Sequence, residues 1–306
     1  MRSGGLSPKG VSGPRLLILA AILAAVGVIT TTIVPGTKTR GEEPAPAARG
    51  EEDPASWLSY AEVLSRVDDL GMVDYSGLKR NRGALDRFVE LLADFDERIF
   101  SDWDESHRIA FWFNAYNGLT IRAIVDNYPI QPSILASLRF PRNSIRQIPG
   151  VWDRLRFTVM GRQLTLDDIE HKILRIEFDE PRLHLALVCA ARSCPPLRGE
   201  PYLGRRLEDQ MDDQTRRFLA DPGKFRIDRR ERRVSLSPIF RWYGEDFVGR
   251  FSPETGFDGR GEVEKAVLNF ISGYLAEPDE AYLRTGDYTI RYLGYDWTLN
   301  ESLGER

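Results

Sequence analysis

The chain is short of the residues that most often carry catalysis. It has two cysteines and three histidines in 306 residues, so thiol, imidazole or metal chemistry has few places to sit. Cys189 and Cys194 have four residues between them, which is not the C-x-x-C of redox enzymes, and no ligand set has zinc spacing. No Gly-rich elbow surrounds either cysteine. No metal and no cofactor is therefore expected. A basic surplus is also missing. The net charge is −4 and the pI about 5.6, which argues against nucleic acid as the main partner, because phosphate binding needs a basic surface. There is no internal repeat.

Only one long apolar run is present, at residues 16–34, with threonines near its end. A bilayer-spanning helix needs roughly 20 such residues. Arg2, Lys9 and Arg15 precede the run, and residues 35–54 form a Pro-, Ala-, Gly- and Glu-rich stretch that reads as a flexible linker. The expected organisation is a cytoplasmic tail (1–15), a signal anchor (16–34), a linker (35–54) and a globular domain (55–300) outside the cytoplasm. Arg15 abutting the span favours that orientation. A cleaved secretory signal ending near Ala25-Val26-Gly27 is the competing reading. The membrane is then one partner, and an unidentified peptide, glycan or protein the other.

Hydrophobic periodicity organises the rest. Trp57, Leu58, Ala61, Leu64 and Val67, then Leu85, Phe88, Val89, Leu91 and Leu92, fall at helical spacing. Asp102, with Glu105 as capping-box partner, is expected to start a helix that stops before Pro129. Its apolar residues go most of the way round, which marks a buried central helix. Leu155, Phe157 and Val159 predict a strand turning at Gly161, and Thr165 caps the next helix. Residues 183–189 alternate as a strand, with His184, Ala186 and Val188 on one face. A helix over 203–219, a hairpin over 225–236, a helix over 262–275 and a last strand over 288–299 complete the pattern. The expectation is one α+β domain, its core at 105–220, with the central helix packed on a small mixed sheet.

Several phrases carry a resemblance. They are Phe111-Trp112-Phe113-Asn114-Ala115-Tyr116-Asn117, Leu166-Asp167-Asp168-Ile169-Glu170-His171, and His184 through Ser193-Cys194-Pro195-Pro196-Leu197. Ser237-Pro238-Ile239-Phe240-Arg241-Trp242-Tyr243 and Tyr295-Asp296-Trp297 follow downstream. In order and spacing they resemble the domain of unknown function 547 family, over about 57–300. The family has no settled activity to carry over.

The residues leave three functions open, the third a thiol–disulfide role that the C-x4-C spacing argues against. In the first, Cys194 is a nucleophile flanked by Arg192 and Arg198, which favour thiolate. His184 is then the base, and Asn114 or Asn117 orients it or donates to an oxyanion. The reaction would be hydrolysis or transfer at amide or ester bonds. In the second, Cys189 and Cys194 form a disulfide, His184 is a hydrogen-bonded core residue, and the two asparagines tie the central helix to loops in a non-catalytic binding or scaffolding module. His107 is expected to be exposed, and His171, with Asp167, Glu170 and Arg175, to lie on a solvated helix face.

Overall fold

A computed structural model describes residues 57–302. The expected tail, membrane span and linker lie outside the described residues. Within them no helix is long and apolar enough to cross a membrane. Helices and small sheets are mixed, as an α+β chain requires.

The central helix, Glu105–Asp126, is buried at 17 of its positions, including Phe111, Trp112, Phe113, Tyr116 and Leu119. Such all-round apolarity suits a helix enclosed by other elements. It starts later than expected. Trp103 is itself buried, and Asp102 closes the preceding turn, Glu97–Ser101. The cap is Asp104, whose Oδ1 accepts from the His107 N–H at 2.9 Å. Gly118 lets the Phe88 ring lie against the helix, since a Cβ there would come within 2.2 Å of the ring. His107 is buried, not exposed, and packs where Gly204 leaves no side chain.

Two apolar clusters make up the core. The first surrounds the central helix and takes in Trp57, Tyr60, Phe88, Leu174 and Leu187. The second holds Phe218, Phe240, Phe247, Phe257 and Phe270. The hairpin forms as expected, β3 (Phe225–Asp228) pairing antiparallel with β4 (Arg233–Leu236), after the first hairpin of β1 (Phe157–Val159) and β2 (Arg162–Leu164). β5 (Thr289–Tyr292) adds in parallel to β4, with Val234 opposite Ile290. This three-stranded sheet is mixed, but its apolar residues belong to the second cluster. The central helix is packed among helices instead, which corrects the expectation that it lies on the sheet.

The segment expected as a strand over 183–189 is instead a helical turn, Leu183–Ala186, followed by extended chain. Every residue from Leu183 to Val188 is buried, so the apparent alternation did not separate a wet face from a dry one. A short run buried all round fits either structure. Asn117 supplies the pairing that a neighbouring strand would. Its Nδ2 donates to the Ala186 carbonyl at 3.0 Å, and its Oδ1 accepts from the Val188 N–H at 2.8 Å. Asn114 does the same for both backbone groups of Tyr202, at 2.8 Å each. The start of the turn is fixed by Arg182, buried with Glu180 and paired with it at 2.7 Å, and bonded at 2.8 Å to Glu208 on the helix Leu207–Ala220.

Candidate functional site

The turn carrying His184 lies between the clusters: Leu183 and Ala186 belong to the first, Leu185 to the second. A cleft of about 470 Å³ opens beside it. One wall carries Tyr116, Glu170, His171, His184, Cys189 and Cys194; the other carries Ile239, Trp242, Tyr243, Tyr295 and Trp297.

The cysteines are joined in a disulfide with Cα atoms 6.1 Å apart. Ala190, at φ 57°, turns the chain back in the left-handed region to close this small loop. The last segment of the described chain pins the loop: the Arg192 N–H donates to the Thr298 carbonyl at 2.9 Å, and the Asp296 N–H to Ser193 Oγ at 2.8 Å. The Tyr295 hydroxyl lies 3.2 Å from both sulfurs. Cys194 Sγ also accepts from the Cys189 backbone N–H at 2.9 Å.

His184 Nε2 lies 2.7 Å from Asp246 Oδ2. Asp246 is gripped on both oxygens by Arg175, at 2.7 Å each, and the Tyr243 ring stacks on the imidazole with centroids 3.9 Å apart. Burial lowers the His184 pKa below the ordinary imidazole value, although the Asp246 bond works the other way. Burial would raise Asp246, but the bonds from His184 and Arg175 outweigh it and hold the carboxylate well below its usual range. The resulting arrangement is a charged Asp246 balanced by Arg175, beside a neutral imidazole. With Nε2–H donating to the carboxylate, Nδ1 keeps its lone pair.

Glu170 and His171 sit on a π-helix, Asp168–Leu174. Thr165 caps this segment as expected, its hydroxyl accepting from the Asp168 N–H at 3.0 Å while Asp168 Oδ2 accepts from the Thr165 N–H at 2.9 Å. Widened helical turns recur at functional sites. Here Glu170 is buried and accepts from the Tyr116 hydroxyl at 3.0 Å. His171 lines the cleft, meets Arg175 at 3.2 Å and keeps a solvated side chain, as expected of its helix face. Burial raises the pKa of the cleft residue Asp167. Among the described residues no three His, Cys, Asp or Glu side chains are grouped to hold a metal. At the mouth, the Arg146 guanidinium lies over Trp297 at 4.1 Å and Trp152 at 4.6 Å.

Of the residues singled out in the sequence, His184 and Cys194 both line the cleft. Asn114 and Asn117 do not line it; their amides are committed to backbone. Asp246, Tyr243 and Tyr295 were missed, although Tyr243 and Tyr295 stand in two of the phrases that carry the resemblance.

The model of one family, described as "Protein of unknown function, DUF547", matches residues 100–219. The match supports the resemblance read from the sequence. It includes the central helix, the π-helix, His184 and both cysteines, and it ends before Tyr243, Asp246 and Tyr295. No curated protein and no solved structure matches the chain.

Proposed function

We propose that this cleft is a thiol-dependent hydrolase or transferase site for amide or ester bonds, active when the Cys189–Cys194 bond is open. The observation that carries the reading is that a histidine held by a half-buried carboxylate and a hydrogen-bonded cysteine sulfur line the same cleft. Nucleophile, base and orienting acid are the parts that covalent acyl transfer needs. In the reduced chain His184 Nδ1 takes the Cys194 proton and the thiolate attacks the carbonyl carbon. The imidazolium then protonates the leaving amine or alcohol. Water, deprotonated by His184, splits the resulting thioester. Asp246 holds the ring and its tautomer, while Asn117 positions the segment that bears His184 and leads to Cys189.

The test is to offer p-nitrophenyl acetate to the full chain before and after reduction by a phosphine, and to map acetylation by mass spectrometry. An acetyl group on Cys194 in the reduced chain only, absent in Cys194→Ser, supports the reading. Hydrolysis indifferent to reduction and to Cys194→Ser overturns it.

The paired sulfurs favour a second reading. A cleft edged by Trp152, Trp242 and Trp297 would serve a non-catalytic envelope module that binds a peptide, glycan or protein, with the disulfide as a fixed wall. Both readings place the domain outside the cytoplasm on a membrane anchor at residues 16–34. A reporter fused after Glu52 should then be active only outside the cytoplasm, and cytoplasmic activity would remove that placement.

A further inference from the structure

The two sulfurs of the disulfide are not equivalent. Cys194 Sγ belongs to a residue only 3% exposed and accepts two hydrogen bonds, from the Cys189 N–H at 2.9 Å and from the Tyr295 hydroxyl at 3.2 Å. Cys189 is half-buried and has the shared Tyr295 hydroxyl alone. A disulfide sulfur has no proton, so Tyr295 is the donor in both contacts. Burial pushes the Tyr295 pKa far up and keeps that proton in place.

Exchange between a thiolate and a disulfide depends on which sulfur can be reached and which leaves more readily. Hydrogen bonds to a departing thiolate favour its departure, because they stabilise the charged form. Both preferences here point the same way: Cys189 is the sulfur that can be reached, and Cys194 is the one prepared to carry charge. A cleft of about 470 Å³ suits a small molecule.

We infer that Cys189–Cys194 is an exchange-active disulfide, attacked at Cys189 by a low-molecular-weight thiolate, with Cys194 leaving as a thiolate held by the Cys189 N–H and the Tyr295 hydroxyl. The incoming sulfur bonds to Cys189 Sγ, and the electron pair of the old bond passes to Cys194. A second external thiolate then attacks the sulfur of the first on the mixed disulfide. It releases the external disulfide, and Cys189 leaves as a thiolate that takes a proton from water. Two electrons pass from two external thiols to the cysteine pair. This goes beyond acyl transfer and stands without it, since the exchange requires no step on a carbonyl.

The test mixes the oxidised full chain with reduced glutathione, quenches with acid at intervals, and maps adducts by mass spectrometry. A transient glutathione adduct on Cys189, with none on Cys194, is expected. Tyr295→Phe keeps the ring and should slow the first step about fivefold, as befits one lost hydrogen bond. An adduct on Cys194, or unchanged kinetics in a folded Tyr295→Phe chain, overturns the inference. So does a bond that only a thioredoxin-type protein dithiol opens, or that opens only on denaturation. Should Tyr295→Phe fail to fold, the position of the adduct on the wild-type chain decides alone. Exchange at Cys189 without acylation of Cys194 would sink the hydrolase reading and leave this one standing.

Discussion

The two walls of the cleft do different work. The wall drawn from the family-matched segment, residues 100–219, carries both sulfurs, His184 and Glu170, and rests on the central helix. The opposite wall comes from residues beyond that match. It supplies the ring stacked on His184 and the hydroxyl shared by the sulfurs, and the same stretch of chain supplies the Asp246 carboxylate that holds His184 from behind the lining. The comparison teaches that the matched segment holds the two sulfurs and His184 without the groups that bond to them and stack on the imidazole. A chain cut at residue 219 would keep Cys194 and His184 but lose Asp246, Tyr243 and Tyr295.

The walls should also differ in what they contribute to stability. Trp112, on the central helix, is 1% exposed. Trp112→Ala should cost about 3–5 kcal/mol in a denaturant titration, as large core truncations do. A near-neutral result would mean that the central helix does not hold up its wall. Asn117→Ala comes next. It leaves the Ala186 carbonyl and the Val188 N–H unpaired in the interior, at a cost of about 1–3 kcal/mol. Asn117→Asp keeps one acceptor for Val188 but cannot donate to Ala186, so it should not rescue the loss. Full rescue would show that the bond to Ala186 contributes nothing. Trp242→Ala, on the opposite wall, sits at the bottom of the scale. Trp242 is 49% exposed, and the change should stay within about 0.5 kcal/mol, as surface substitutions do. A loss as large as that of Trp112→Ala would erase the contrast between the walls.

The same contrast explains what could be read in the sequence. The central helix was legible because its apolar residues run all round for more than five turns, and so was the hairpin at residues 225–236. Cys194 and His184 were legible because cysteine and histidine are scarce. The turn at His184 was misread because a fully buried segment has no wet face, and because its backbone partner is a side chain, Asn117. Asp246 and Tyr295 were not legible: acids and tyrosines are common, and nothing local shows that they fold back across 62 and 101 residues to His184 and Cys194. The two asparagines were legible as buried amides, but whether such an amide faces backbone or substrate is a tertiary fact.

The central claim is that His184, held by Asp246, governs the charge of Cys194 on the same wall of the cleft. The direct measurement is the rate of iodoacetamide alkylation of Cys194 against pH in the reduced full chain, for wild type, His184→Gln and Asp246→Asn. Burial alone makes His184 a weak proton acceptor, but a Cys194 thiolate in the same cleft adds a negative charge that favours the imidazolium, as a nearby opposite charge does. In the wild type the alkylation rate should therefore reach half its maximum well below about 8.5, the ordinary thiol value. The midpoint should return toward that value in His184→Gln and lie between the two in Asp246→Asn. Three coincident profiles centred near the ordinary thiol value would contradict the account.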